Sequence, residues 1–255
     1  MFDVIIKDAS LSYDKKPVFE GLNLTLKGGQ WTCLLGGSGV GKTSLLRFIA
    51  GLNASSRDAS VSGTALCQDG VELNQRIAWM AQQDLLLPWF SVLDNVTLGQ
   101  RLRSSVFRRQ KISPEHLKKA KDILSRVGLS DKEQELPQNL SGGQRQRVAL
   151  ARTLMENRPV VLMDEPFGAL DAITRLNLQD LACELLHNRT VLLITHDPLE
   201  ALRLGHQVYH LQGHPARLTD PIIPPEAIPR SLDDSQLMSL HGQLLERLRH
   251  EEAAL

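Results

Sequence analysis

Two kinds of apolar patterning divide the chain. Near the N-terminus apolar and polar positions mix in short stretches. Phe2–Ile6 and Leu22–Leu26 read as alternating strands around a turn at Asp14-Lys15-Lys16-Pro17. Further along, the apolar residues come in continuous runs. Trp31–Leu35, Val160–Asp164 and Val191–Thr195 are strand-length and uninterrupted, as strands covered on both faces must be. Ser60–Asp69 and Ile77–Met80 add further strand pieces. Between the runs lie helical segments. Lys42–Ala50 follows the first. Pro114–Val127 has Ser113 as its cap and Gly128 as its stop. A helix starting at Ser141 carries a stripe of Val148, Ala151, Leu154 and Met155. Ala172–Leu186 separates the last two runs, and Asp197-Pro198-Leu199-Glu200 opens another helix. Alternating strands and helices predict an α/β fold with a mixed, mostly parallel sheet. Leu85–Met155 departs from that alternation and reads as a small helical lobe. Pro215–Pro229 reads as extended, and Asp233–Glu252 as a terminal helix.

Composition narrows the classes of function. The 255 residues carry 29 basic and 29 acidic side chains, a formal net charge of zero. No overall field draws the chain to nucleic acid, and no nucleic-acid partner is expected. The local clusters Arg101–Lys111 and Lys118–Lys121 read equally as solvated faces or a docking surface. Cys33, Cys67 and Cys183 show no metal-ligand spacing and read as reduced thiols. No signal peptide is visible, and the apolar runs are far too short to cross a bilayer. Any link to a membrane is expected to pass through another protein.

The chemistry concentrates where the continuous runs end. Gly36-Gly37-Ser38-Gly39-Val40-Gly41-Lys42-Thr43 joins a buried strand to a helix. Glycines let successive backbone N–H groups turn inward around a phosphate, and the helix N-terminus adds its own. Lys42 would reach the β and γ phosphates, and Thr43 would offer a hydroxyl to Mg²⁺. This predicts ATP or GTP binding. Asp164 and Glu165 end the second long run, where one carboxylate can hold Mg²⁺ and its neighbour can orient the attacking water. A salt-bridged pair at a strand end is the plainer reading of two acids. His196 ends the third run, as a γ-phosphate contact or as a helix cap. Gln82 and Gln83 follow Ile77–Met80, and Tyr13 lies on the N-terminal hairpin. A metal-touching amide and a purine-stacking ring stand against a surface pair and ordinary packing.

These pieces, in this order, resemble the ATP-binding subunits of ABC transporters. Leu140-Ser141-Gly142-Gly143-Gln144-Arg145-Gln146-Arg147 looks like that family's signature, and the resemblance runs from about Phe2 to Leu211. It implies a P-loop NTPase fold with an N-terminal antiparallel β subdomain and a helical subdomain over about 85–155. Residues 1–212 would form the ATPase domain and 213–255 a short extension without a full regulatory domain. It also implies a homodimer that sandwiches two ATPs with Mg²⁺. On the matching positions, Tyr13 resembles the adenine-stacking aromatic, Gly36–Ser44 the phosphate loop, and Gln82 the glutamine that senses the metal and the membrane subunit. Asp164 resembles the magnesium aspartate, Glu165 the catalytic glutamate and His196 the switch histidine. Ser141, Gly142, Gly143 and Gln144 would meet the γ-phosphate held by the opposite copy, with Asp171 across the seam. The segment Leu85-Leu86-Leu87-Pro88-Trp89 resembles the importer branch for sulfonates or taurine, nitrate, bicarbonate and pyrimidine precursors of thiamine. That branch implies an integral-membrane permease, a solute-binding protein, and a peripheral place on the cytoplasmic face of the cell membrane. Asn53–Arg76, Gln83-Asp84 and Arg203-Leu204-Gly205-His206 depart from the family pattern without removing a catalytic group. An export or lipoprotein-release subunit and a soluble ABC ATPase stand as the alternatives.

Overall fold

A computed structural model describes residues 1–52, 59–103 and 112–252. Most of the basic cluster at Arg101–Lys111 therefore lies outside the described residues. Strands β1 (Val4–Tyr13), β2 (Lys16–Leu26) and β4 (Ala59–Cys67) form an antiparallel sheet in the order β2-β1-β4. Both N-terminal strands run longer than their apolar pattern suggests. β1 is the middle strand, so pairing on both edges carries it through Asp8 and Ser10 to Tyr13. The turn between them is Asp14-Lys15, both left-handed.

The second sheet is built from β3 (Trp31–Leu35), β5 (Ile77–Met80), β6 (Val160–Asp164), β7 (Thr190–Ile194), β8 (Gln207–Gln212) and β9 (Arg217–Leu218). Its order is β5-β6-β7-β3-β8-β9, parallel throughout except for β9. β8 had no clear sequence signal because its residues are only partly covered. Alternation along the buried strands sends neighbouring side chains to opposite faces. Leu34, Leu162, Leu192 and Ile194 face the small sheet and α1 (Lys42–Ile49), where Phe19 and Phe48 meet edge to face at 6.1 Å. Cys33, Leu35, Val161, Met163 and Leu193 face the other core.

That second core carries the helices. α2 (Val92–Val96) and α3 (Leu98–Arg103) open the helical lobe, and α4 (Pro114–Arg126) follows. α5 (Gly142–Met155) opens on a capping box. The Ser141 hydroxyl accepts from Gln144 N at 3.2 Å, and the Gln144 amide accepts from Ser141 N at 2.8 Å. α6 (Ala172–Leu185) and α7 (Pro198–Leu204) are capped by Asp171 and Asp197. α8 (Ser235–Glu252) packs on α7 through buried Leu237 and Leu244. The segment before α8 is tied down by Arg230. Its buried guanidinium donates to the carbonyls of Leu202 and Gly205 at 2.8 Å, Pro224 at 2.9 Å and Glu226 at 3.0 Å.

Candidate functional site

The strand order decides which side chains meet. β6, β7 and β3 are neighbours and parallel, so their C-terminal ends open on one edge. The residues that follow those ends are Glu165, His196 and the glycine-rich loop Gly36–Gly41. Ligands of open parallel sheets bind at such an edge.

Two of the loop glycines have no substitute. Gly41 caps α1 with φ at 111°, and a Cβ there would stand 2.6 Å from Val18 Cγ1. A Cβ on Gly36 would stand 2.6 Å from the Leu211 carbonyl oxygen. The Lys42 ammonium folds back on its own loop, donating to the carbonyls of Gly36 at 2.8 Å and Gly37 at 2.9 Å. Burial lowers the Lys42 pKa, against the opposing pull of Glu165 and Asp164. The first turn of α1 thus holds a cation that is enclosed but surrounded by acceptors.

Thr43 Oγ1 donates to Asp164 Oδ2 at 2.7 Å, and Asp164 is only 2% exposed. Burial raises the Asp164 pKa, and the Thr43 hydrogen bond opposes that rise. A hydroxyl and a carboxylate held this close form a pair of hard oxygen donors suited to Mg²⁺. The residues present therefore fit a magnesium nucleotide: enclosed cation, glycine cradle, helix N-terminus and oxygen donors together.

Glu165 stands one residue beyond Asp164 with φ at 49°, a left-handed backbone rare outside glycine. Its N–H donates to the Ile194 carbonyl at 2.9 Å, which fixes it to the end of β7. Its carboxylate is a shared acceptor. Gln82 Nε2 donates to Oε2 at 3.1 Å, and His196 Nδ1 lies 3.4 Å from the same oxygen. His196 is largely exposed, so one edge of the group stays open to an incoming phosphate or water.

Ser141–Gln144 and Asp171 form a second patch. Ser141 and Gly142 are exposed, and a Cβ on Gly143 would lie 3.3 Å from the Ala169 carbonyl, so the start of α5 rests against the loop before α6. Asp171 is exposed and accepts from Thr174 N at 3.0 Å. Tyr13 is half-buried against the small-sheet core, while Ser38 and Gly39 are exposed and Ser44 is half-buried on α1.

The apolar stripe on α5 hid its polar work. Gln146, buried, donates to the carbonyls of Glu165 at 3.3 Å and Pro166 at 3.0 Å. Arg145 Nε bonds Asp84 Oδ2 at 3.0 Å, and Arg152 donates to the carbonyls of Leu85 at 2.9 Å and Asp84 at 2.6 Å. Asn95, fully buried, accepts from Leu87 N at 2.8 Å and donates to the carbonyls of Leu87, Phe90 and Ser91. Even where the residue lies in a motif, as Gln146 does, no pattern in a sequence tells which backbone carbonyl a buried amide or guanidinium will hold.

No helix among the described residues is long and apolar enough to cross a membrane. Residues 19–168 match the ABC transporter family. The chain is 44% identical over 252 residues to an uncharacterized ABC transporter ATP-binding protein of Haemophilus influenzae, covering 98% of this chain and all of that protein. It is 42% identical over 247 residues to the aliphatic sulfonates import ATP-binding protein SsuB 1 of Rhodococcus jostii, covering 95% and 92% of the two chains. Among solved structures it resembles the dimeric bacterial ABC transporter cassette MJ0796, with a TM-score of 0.74 and 27% identity over 88% of this chain and all of that one. A post-hydrolysis dimer of the same cassette with ADP and phosphate matches equally. Fold, edge chemistry and relatives agree: the chain is an ATP-hydrolysing subunit that belongs to the ABC transporter ATP-binding family.

Proposed function

We propose that two copies of this chain close around two ATPs and hydrolyse them to drive import of a small anionic solute through a separate permease. The observation that carries the catalytic part is the single Glu165 oxygen shared by Gln82 and His196, one residue from the Thr43–Asp164 pair. In this reading Lys42 leaves its own carbonyls for the β and γ phosphates, and the N–H groups of Gly36–Ser44 cradle them. Thr43, Asp164 and Gln82 would hold Mg²⁺, which when bound would offset charge on the phosphoryl oxygens. Glu165 orients and deprotonates the attacking water, and His196 steadies the γ-phosphate beside it. Tyr13 stacks on adenine. Ser141, Gly142, Gly143 and Gln144 cap the γ-phosphate of the opposite copy, and Asp171 faces it across the seam. Domain limits of 1–212 and 213–255 accompany this reading.

The transport part rests on relatives named for aliphatic sulfonates and on Leu85 and Trp89, exposed beside the Gln82 loop. A permease helix would cover these residues, fed by a solute-binding protein, with the ATPase peripheral at the cytoplasmic face of the cell membrane. Glu165→Gln tests the chemistry. Hydrolysis should fall about 10²–10⁴-fold with ATP still bound, and retained turnover would reassign the base. Uptake of aliphatic sulfonates against nitrate by the reconstituted importer tests the cargo. Uptake of neither overturns the anionic class.

A further inference from the structure

We infer that α8 is part of the dimer seam: Ile173 of one copy seats against Leu248 of the other, in the cavity beside the phosphate loop. The inference rests on the two-copy sandwich proposed above and extends it to an element outside the ATPase core.

The donor side is one continuous patch. Gly143 lies against the Ala169 carbonyl and Leu170 Cδ2, so the start of α5 and the loop into α6 move together. Ile173 stands two residues past Asp171 on the first turn of α6 and is 74% exposed. An isolated aliphatic side chain held that far into water gains little within its own copy, and covering it is favourable. The receiving side is a cavity of about 900 Å³ whose wall includes Gly37, Ser38, His196, His214, Pro215 and Leu248. Gly37, Ser38 and His196 are the very groups that a second copy must approach to cap a γ-phosphate. Leu248 and Pro215 continue that wall with apolar surface and come from the C-terminal segment. When Ser141–Gly143 of one copy covers the phosphate loop of the other, Ile173 is carried toward this cavity. Twofold symmetry makes the contact twice.

The test uses the full-length Glu165→Gln protein with Mg-ATP. Ile173→Cys and Leu248→Cys are made separately and mixed. The native Cys33, Cys67 and Cys183 are buried and stay silent. Mild oxidation should give a cross-linked dimer in the mixture with Mg-ATP and not with ADP, while light scattering reads association in the same sample. Association without the cross-link overturns the α8 contact and leaves the sandwich standing. A monomer under Mg-ATP overturns both. Ile173→Asp, at a site already in water, should weaken the ATP-bound dimer about tenfold without lowering the thermal midpoint. An unchanged dimer constant counts against the contact equally.

Discussion

Asp164 and Glu165 are adjacent carboxylates in opposite settings. Asp164 is enclosed, with one hydroxyl donor, and burial holds its pKa above the ordinary carboxylate value. A carboxyl whose native pKa is raised keeps its proton longer in the folded state than in the unfolded one. Between those two pKa values stability falls as pH rises, and at neutral pH the full penalty is present. Asp164→Asn removes that penalty while the Thr43 hydroxyl keeps an acceptor. The nucleotide-free variant should melt higher at pH 7, by about 2–4 °C per kcal/mol relieved, with the gain shrinking as pH drops below the native pKa. Scanning calorimetry across pH reads this directly. The same change should weaken Mg²⁺-dependent ATP binding about 10–100-fold. A buried charge that costs the empty protein and serves the loaded one marks a functional residue. A merely structural carboxylate would show destabilisation and no change in metal dependence.

The helix α5 joins what the strands leave apart. Gln146 holds the backbone behind Glu165, Arg145 and Arg152 hold Asp84 and Leu85 behind Gln82, and Gln82 touches Glu165. The loops that carry Glu165 and Gln82 therefore hang from one helix, and a shift of α5 moves them together. Gln146→Ala leaves the carbonyls of Glu165 and Pro166 without that donor. Turnover should fall about 10–100-fold, since small misplacements of a reacting group are expensive, with ATP affinity changed less than about twofold. Steady-state kinetics beside equilibrium nucleotide binding separates the two. Asn95→Ala should cost about 1–3 kcal/mol, because it strips partners from Leu87, Phe90 and Ser91 at once. Chemical denaturation measures that loss.

The limits of sequence reading follow the same division. Trp31–Leu35, Val160–Asp164 and Val191–Thr195 were legible because a doubly covered strand needs an unbroken apolar run. Their ends then located Lys42, Asp164 and His196. Ser141 and Asp197 were legible as helix starts, and each caps its helix; Asp171, read only as a seam residue from the family resemblance, caps α6 as well. Gln146, Arg152, Asn95 and Arg230 were not. Their partners are carbonyl oxygens, which every residue carries, so only the fold shows which carbonyl lies within reach. β8 escaped for a related reason, since sheet pairing rather than apolar content makes it a strand.

At the scale of the whole molecule, two exposed surfaces among the described residues bear on function. One is the nucleotide edge with Ile173 beside it. The other is the loop after Gln82, where Leu86, Leu87 and Phe90 turn partly inward while Leu85 and Trp89 stay in water, 57% and 68% exposed. Arg101 lies over the Phe90 ring at 5.6 Å, which fixes the base of this loop and leaves its tip free to engage. Net charge is zero, so no overall field steers a partner, and the exposed apolar tip is the surface this loop offers to one. Because Asp84 and Leu85 bond α5, whatever grips the tip pulls on the helix that also holds Glu165. Trp89 offers the readout. Trp31 is buried and Trp79 is packed half-buried against the small-sheet core, so a blue shift on adding the proposed permease should come chiefly from Trp89 and vanish in Trp89→Phe. Trp89→Ala should weaken assembly with the permease by at least about 30-fold, as truncating a central aromatic anchor does, while leaving the thermal midpoint of the free subunit in place. Undiminished assembly would move the proposed permease site away from this loop and break the proposed mechanical link between cargo passage and Glu165.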